Sequence, residues 1–167
     1  LGAEEHRKKA LQNVRCAVIT VSDSRSKETD TSGREIISIL EAHGHVVKRY
    51  EIVKDEPSQI SAVMRQCIES PEIQAVIFNG GTGITSRDNT IEALSSFSEK
   101  HLPGFGELFR MLSYEEIGAA AMLSRAMAFI VERKAVFCLP GSTAAVRLAT
   151  EKLIAPELGH LLSEANR

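Results

Sequence analysis

The chain has 167 residues, 43% apolar and 25% charged, with 5% aromatic residues, no Trp and a formal net charge of −2. That length and balance fit one soluble globular domain with a single core of ordinary depth. The near-neutral charge gives no general pull toward nucleic acid or a membrane surface, and the scarcity of aromatics argues against a base-stacking platform.

No apolar run reaches the ~18–20 residues that a membrane span needs, and the charged opening stretch, Leu1 to Asn13, lacks the apolar centre of a signal peptide. We read it as an N-terminal arm preceding a single domain over 14–167. Three widely separated cysteines (Cys16, Cys67, Cys138) form neither a CxxC pair nor an even set. They read as buried thiols of a cytoplasmic protein, with no disulfide framework and no zinc site.

Arg15 to Val21 is short, apolar and β-branched and predicts a first strand. A polar loop, Ser22 to Thr31, leads to a helix over Ser32 to His43 that stops at Gly44. His45 to Val53 reads as a second strand. Pro57 then opens a helix, Ser58 to Glu69, at the position where proline is tolerated. Ile73 to Phe78 is the third strand, and Asn89 to Phe97 is helical. Pro103-Gly104-Phe105-Gly106 breaks the pattern before two short helices, Glu107 to Leu112 and Tyr114 to Ala121. Ala126 to Val131 and Ala135 to Leu139 predict a hairpin about Glu132-Arg133-Lys134. Ser142 or Thr143 caps a helix running to Leu153, and Pro156 begins a terminal helix. Alternating strands and helices predict an α/β fold: three layers, a mostly parallel sheet flanked by helices, with one antiparallel hairpin strand.

In such sheets ligands bind beyond the carboxyl ends of the strands. That rule gathers Ser22-Asp23, Lys54-Asp55, the loop Asn79-Gly80-Gly81-Thr82-Gly83, and Pro140-Gly141-Ser142 on one rim. Glycines between a strand and a helix expose backbone N–H groups to an anion. Arg87 adds positive charge for a phosphate, and Asp88 and Asp55 are candidates to hold Mg²⁺ with a nucleotide. Each aspartate is equally suited to cap the helix that follows it, and Asp23 to cap a turn. Thr82 and Ser113 offer hydroxyl donors. Ser142 reads as a cap rather than a nucleophile, because no G-x-S-x-G elbow surrounds it. The loop is neither a Walker A motif nor a dinucleotide fingerprint. The five histidines form no ligand spacing.

The stretches Thr20-Val21-Ser22-Asp23-Ser24, Asp30-Thr31-Ser32-Gly33, Val53-Lys54-Asp55, Gly80-Gly81-Thr82-Gly83, Arg87-Asp88-Asn89-Thr90, Pro103-Gly104-Phe105-Gly106-Glu107, Leu123-Ser124-Arg125-Ala126 and Leu139-Pro140-Gly141-Ser142 run in order over about nine-tenths of the chain. Together they closely resemble the MoaB/MogA family of molybdenum cofactor biosynthesis proteins, and the glycine loop and Pro-Gly-Ser ending look more like the MoaB branch. The resemblance implies a homotrimer or a hexamer of paired trimers. It implies Mg-ATP-dependent adenylylation of molybdopterin, with release of pyrophosphate, before a separate protein inserts the metal. By the same resemblance Asp55 and Asp88 are the two required aspartates, and Ser22, Thr82 and Ser113 are the pterin-contacting hydroxyls. Gly80 to Gly83 and Pro140-Gly141-Ser142 fall where the family binds ligand. Three alternatives stay open: a non-catalytic molybdopterin-binding protein of this fold, a nucleotide pyrophosphatase related to the CinA protein, and a flavodoxin-like module.

Overall fold

In the computed structural model, which describes Gly2 and residues 11–167, one sheet of six strands runs through the domain in the order β2-β1-β3-β6-β5-β4. Most of the predicted N-terminal arm lies outside the described residues. Strand β1 is Arg15–Val21, β2 Val46–Val53, β3 Ala75–Asn79, β4 Lys100–His101, β5 Met127–Val131 and β6 Lys134–Leu139. The first four in spatial order pair in parallel, and β5 pairs antiparallel with both β6 and β4. The helices are α1 (Thr31–Ala42), α2 (Pro57–Glu69), α3 (Thr90–Ser95), α4 (Pro103–Ile117), α5 (Thr143–Ala149) and α6 (Ala155–Ala165).

Central strands of such a sheet are covered on both sides, so they need near-continuous apolar sequence. Every residue of β3 and β5 is buried. Val18, Ile77 and Phe137 face α1, α5 and α6, together with Phe109 of α4. Ile19, Phe78 and Val136 face Ile60 and Met64 of α2 and Leu94 of α3. Fully burying one such side chain contributes about 1.5–3 kcal/mol. The three predicted layers are present, and the antiparallel hairpin strand is β5. The hairpin turn is Glu132 and Arg133, both with positive φ (45° and 64°), the conformation that matches a two-residue connection to the twist of its strands.

Three predicted elements differ. Pro103 to Gly106 do not break the chain: Pro103 sits in the first turn of α4, where its missing N–H has no partner to lose. A Cβ on Gly106 would lie 2.9 Å from the Ala126 carbonyl oxygen, so glycine there serves close packing within the helix. The two predicted short helices are therefore one helix, followed by a 3₁₀ segment, Gly118–Leu123. Near the end, α5 stops at Ala149 and a π-turn spans Thr150–Ile154 before α6. Pro156 cannot donate to the carbonyl of Lys152, and its ring crowds that carbonyl. The register widens instead, with Ala155 N–H bonding Thr150 O. Strand β4, two exposed edge residues, was not anticipated from the sequence.

After β1 the chain crosses by α1 to β2 on one side; after β2 it crosses by α2 to β3 on the other. The carboxyl ends of β1 and β3 therefore part company, and this topological switch leaves a crevice between Ser22 and Gly80.

Candidate functional site

That crevice opens into a cavity of about 470 Å³. Its walls come from Val21, Ser22, Ser24 and Arg25 after β1, from Gly80 to Gly83 and Asp88 after β3, and from Pro140 and Gly141 after β6. Leu123, Ser124 and Arg125 close the remaining side. A separate apolar cavity of about 310 Å³ between α4 and α6 shares none of these strand ends.

The glycine loop is shaped by what lies behind it. Gly81 has φ +68°, and a Cβ there would meet Thr90 Oγ1 at 2.2 Å and Asp55 Oδ2 at 2.7 Å. A Cβ on Gly83 would meet Asp88 Oδ2 at 2.6 Å. Asp55 and Asp88 thus approach one short loop from residues far apart in the chain. Thr90 Oγ1 donates to Gly80 O at 2.8 Å, and Thr90 N–H donates to Gly81 O at 2.9 Å, tying the loop to α3.

Neither aspartate caps the helix that follows it. The N-cap residues of α2 and α3 are Glu56 and Asn89, without side-chain cap bonds. Asp88 turns back to accept from Thr85 N–H (2.9 Å) and Thr85 Oγ1 (2.7 Å). The Thr85 hydroxyl, the backbone N–H groups of Thr85 and Gly83, and the Arg125 charge hold its carboxyl below the usual range, against a desolvation that raises it. Asp55, only 7% exposed, accepts from Asn89 N–H at 3.1 Å. Burial pushes its carboxyl up, Asn89 pulls it back, and the nearby charges of Asp88 and Asp23 add to the rise. Crowded carboxylates of this kind favour a divalent cation that would neutralise them. Among the described residues no three His, Cys, Asp or Glu side chains gather to hold a metal by themselves.

The other predicted residues divide. Ser22 Oγ accepts from Ser24 and Arg25 N–H, shaping the loop after β1. Thr82 is buried at the cavity wall. Asp23 accepts Asp55 N–H at 3.1 Å and pairs with Arg87 at 2.6 Å. Arg87 also reaches Glu56 at 3.3 Å. Its guanidinium is engaged by two carboxylates and stands outside the cavity's lining. Asp55, Asp23, Ser113 and Ser142 stand outside it too. Ser113 is buried on α4, and Ser142 caps α5 by accepting from Ala145 N–H at 3.2 Å.

Two cationic residues were missed. Arg25 lines the cavity and pairs at 3.6 Å with the buried Asp30. Asp30 in turn accepts from Thr20 Oγ1, Tyr50 OH and Gly33 N–H. Arg125 lies between the 3₁₀ segment and β5, and donates to the carbonyls of Thr82 and Gly83 and to Glu92. Sequence spacing gives no sign of a contact that spans some forty residues (43 between Thr82 and its partner). The available signals for Arg125 were its place in the family-like stretch Leu123-Ser124-Arg125-Ala126 and its position just before an apolar strand.

A family profile described as a probable molybdopterin binding domain matches residues 17–160. The chain belongs to the MoaB/MogA family of molybdenum cofactor biosynthesis proteins. Molybdenum cofactor biosynthesis protein B of Bacillus subtilis is 52% identical over 169 residues, covering 100% of this chain and 99% of that one. A crystal structure of molybdenum cofactor biosynthesis protein B aligns with TM-score 0.91 and 51% identity, over 93% of this chain and 98% of the other. The tungsten cofactor synthesizing protein MoaB of Pyrococcus furiosus aligns with TM-score 0.85 and 38% identity, over 95% of this chain and 100% of that chain. The predicted family and fold class are thereby both found. Among the described residues no helix is long and apolar enough to cross a membrane.

Proposed function

We propose that this chain transfers an adenylyl group from Mg-ATP to the terminal phosphate of molybdopterin, ahead of metal insertion by a separate protein of the pathway. The observation that carries the reading is the convergence of Asp55 and Asp88 on the backs of Gly81 and Gly83 at the sheet's switch point. The names of its relatives, as proteins of molybdenum or tungsten cofactor synthesis, supply the substrate class.

The roles follow from position. The backbone of Gly80 to Gly83 receives a phosphate, because glycine removes the side chains that would stand in the way. By the family resemblance Ser22, Thr82 and Ser113 are assigned to the pterin, and Pro140, Gly141 and Ser142 to the bound ligand. Asp55 and Asp88 are the residues that would hold Mg²⁺. When bound, the ion would offset charge building on the leaving pyrophosphate. A phosphate oxygen of molybdopterin bonds to the α-phosphorus of ATP as the α–β bridging P–O bond breaks, and that electron pair leaves with pyrophosphate. The protein's share is positioning and charge stabilisation. Arg87 can serve a phosphate by exchanging its bonds to Asp23 and Glu56 for the ligand's oxygens.

Self-association belongs to the same reading. Met111, Tyr114, Ile117, Met122 and Leu123 are each more than half exposed on α4 and the 3₁₀ segment. An apolar surface of this kind marks an interface. Leu123 also lines the cavity, so a neighbouring copy in a trimer or hexamer would abut the site. Three buried thiols fit a reducing cytoplasm.

Purified protein mixed with molybdopterin and Mg-ATP should yield adenylylated molybdopterin by mass spectrometry. Asp88→Asn should lower that yield by orders of magnitude with the fold intact. Undiminished turnover by this variant would refute the role of Asp88. Tight molybdopterin binding by the wild type without ATP consumption would favour the non-catalytic alternative.

A further inference from the structure

We propose that Arg125 is a positioning residue for this site, holding Asp88 in place through the single peptide unit between Thr82 and Gly83. The inference rests on the reading of Asp88 given above. Arg125 Nε donates to Thr82 O at 2.8 Å and to Gly83 O at 3.1 Å, and Nη2 donates to Gly83 O at 2.7 Å. The C=O and N–H of a trans peptide point in opposite directions. A carbonyl of Thr82 drawn to Arg125 therefore turns the Gly83 N–H away from it. The Asp88 carboxylate packs against that glycine: a Cβ on Gly83 would stand 2.6 Å from Asp88 Oδ2. The guanidinium holds the carbonyls on either side of Gly83, and the Asp88 carboxylate lies against the same glycine.

Arg125 is itself fixed. Its Nη1 and Nη2 form a fork with the two carboxylate oxygens of Glu92 on α3. Planar, two-pronged pairing of this kind sets an orientation that a lysine cannot reproduce. Of the five guanidinium N–H groups, Nε, both protons of Nη2 and one of Nη1 are engaged in these bonds. One Nη1 proton remains for anything entering the cavity. The residue is thus built to hold the loop more than to bind a ligand. The chain Glu92–Arg125–Thr82/Gly83–Asp88 links α3, the segment before β5 and the glycine loop. It explains how Asp88 keeps one orientation on a loop whose glycines would otherwise let it wander.

The test compares Arg125→Met and Arg125→Lys with the wild type by three readouts: hydrogen exchange at the Gly83 amide, affinity for a non-hydrolysable Mg-ATP analogue, and kcat and KM for adenylyl transfer. Arg125→Met is expected to speed Gly83 exchange by roughly tenfold or more. It should weaken Mg-nucleotide binding or lower kcat by about 10–100-fold, with KM for molybdopterin within about twofold. Arg125→Lys should recover part of each loss. Gly83 exchange unchanged in Arg125→Met overturns the proposal. So does a loss seen wholly as a raised KM for molybdopterin, which would make Arg125 a direct ligand contact. If Arg125→Met does not fold, Arg125→Lys decides alone: values identical to the wild type in all three readouts refute the proposal, and intermediate values support it. A wild type that transfers no adenylyl group would count against the proposed activity, whereas the exchange measurement would still decide whether Arg125 holds the loop.

Discussion

Replacing Gly81 by Ala tests how tightly the site is built, because the structure supplies its own control. Gly81 and Gly44 both have positive φ, +68° and +84°. An alanine at either position takes on left-handed strain of about 1–2 kcal/mol. At Gly44 the added Cβ finds its nearest neighbour at 3.7 Å, an ordinary contact. At Gly81 it would fall 2.2 Å from Thr90 Oγ1 and 2.7 Å from Asp55 Oδ2. Thr90 must then give up its buried bond to Gly80 O, which costs about 1–3 kcal/mol more. At about 2–4 °C per kcal/mol for a domain of this size, Gly44→Ala should lower the melting temperature by roughly 2–8 °C. Gly81→Ala should lower it further, by about 2–12 °C beyond the control. Calorimetry on both variants, with adenylyl transfer measured alongside, gives the comparison. Gly44→Ala should keep its activity, and Gly81→Ala should lose it with the displaced carboxylate. Equal melting temperatures and equal activities would show that Asp55 and Thr90 do not press on the loop, and the reasoning would fail.

The two aspartates should affect stability with opposite signs. The Asp55 carboxyl is raised by burial, so its ionised form destabilises the folded state. Asp55→Asn should raise stability at pH 7, and the gain should vanish below the ordinary aspartate pKa, 3.8, where both states are protonated. The Asp88 carboxyl is lowered, chiefly by Thr85, so its contribution is present above 3.8 and is lost as pH falls through its folded value. Asp88→Asn should therefore destabilise near neutrality, and denaturant titrations at pH 7 and pH 3 check both signs. At the opposite end of the strands from the site, Lys134 Nζ donates to the carbonyls of Cys67, Ser70 and Ile73 at 3.2, 2.5 and 2.7 Å, closing the C-terminal end of α2. Lys134→Met should cost about 2–3 kcal/mol in urea unfolding with activity retained. Ile117→Glu with Met122→Glu should shift the sedimenting species toward monomer, since both side chains lie in the exposed apolar surface.

How much of this was legible in the sequence depends on the range of the forces involved. Strand β1 was predicted residue for residue, because an unbroken apolar, β-branched run ends at a polar serine and needs no distant partner to be read. The rim was legible for the same reason: each candidate segment immediately follows a strand. Proline and glycine misled at Pro103–Gly106, since both signal a break in isolation, whereas here Pro103 opens a helix and Gly106 makes room for the Ala126 carbonyl. Strand β4 carries no apolar pattern at all and exists through its pairing with β5. The partners of Arg87 and Arg125 were not legible. Local sequence sets Arg87 beside Asp88, but tertiary contacts turn Arg87 to Asp23 and Glu56 and bring Arg125 to the loop carbonyls. The family resemblance named the important stretches, including the one holding Arg125, without saying what the arginine does.

The most direct test of a shared metal and nucleotide site is a double-mutant cycle on adenylyl transfer, using Asp55→Asn, Asp88→Asn and the combined variant. Two carboxylates holding one ion act as a unit, so the double variant should be no slower than the worse single one, within about threefold. Losses that multiply across the cycle would show that the two carboxylates act independently, and would contradict the account.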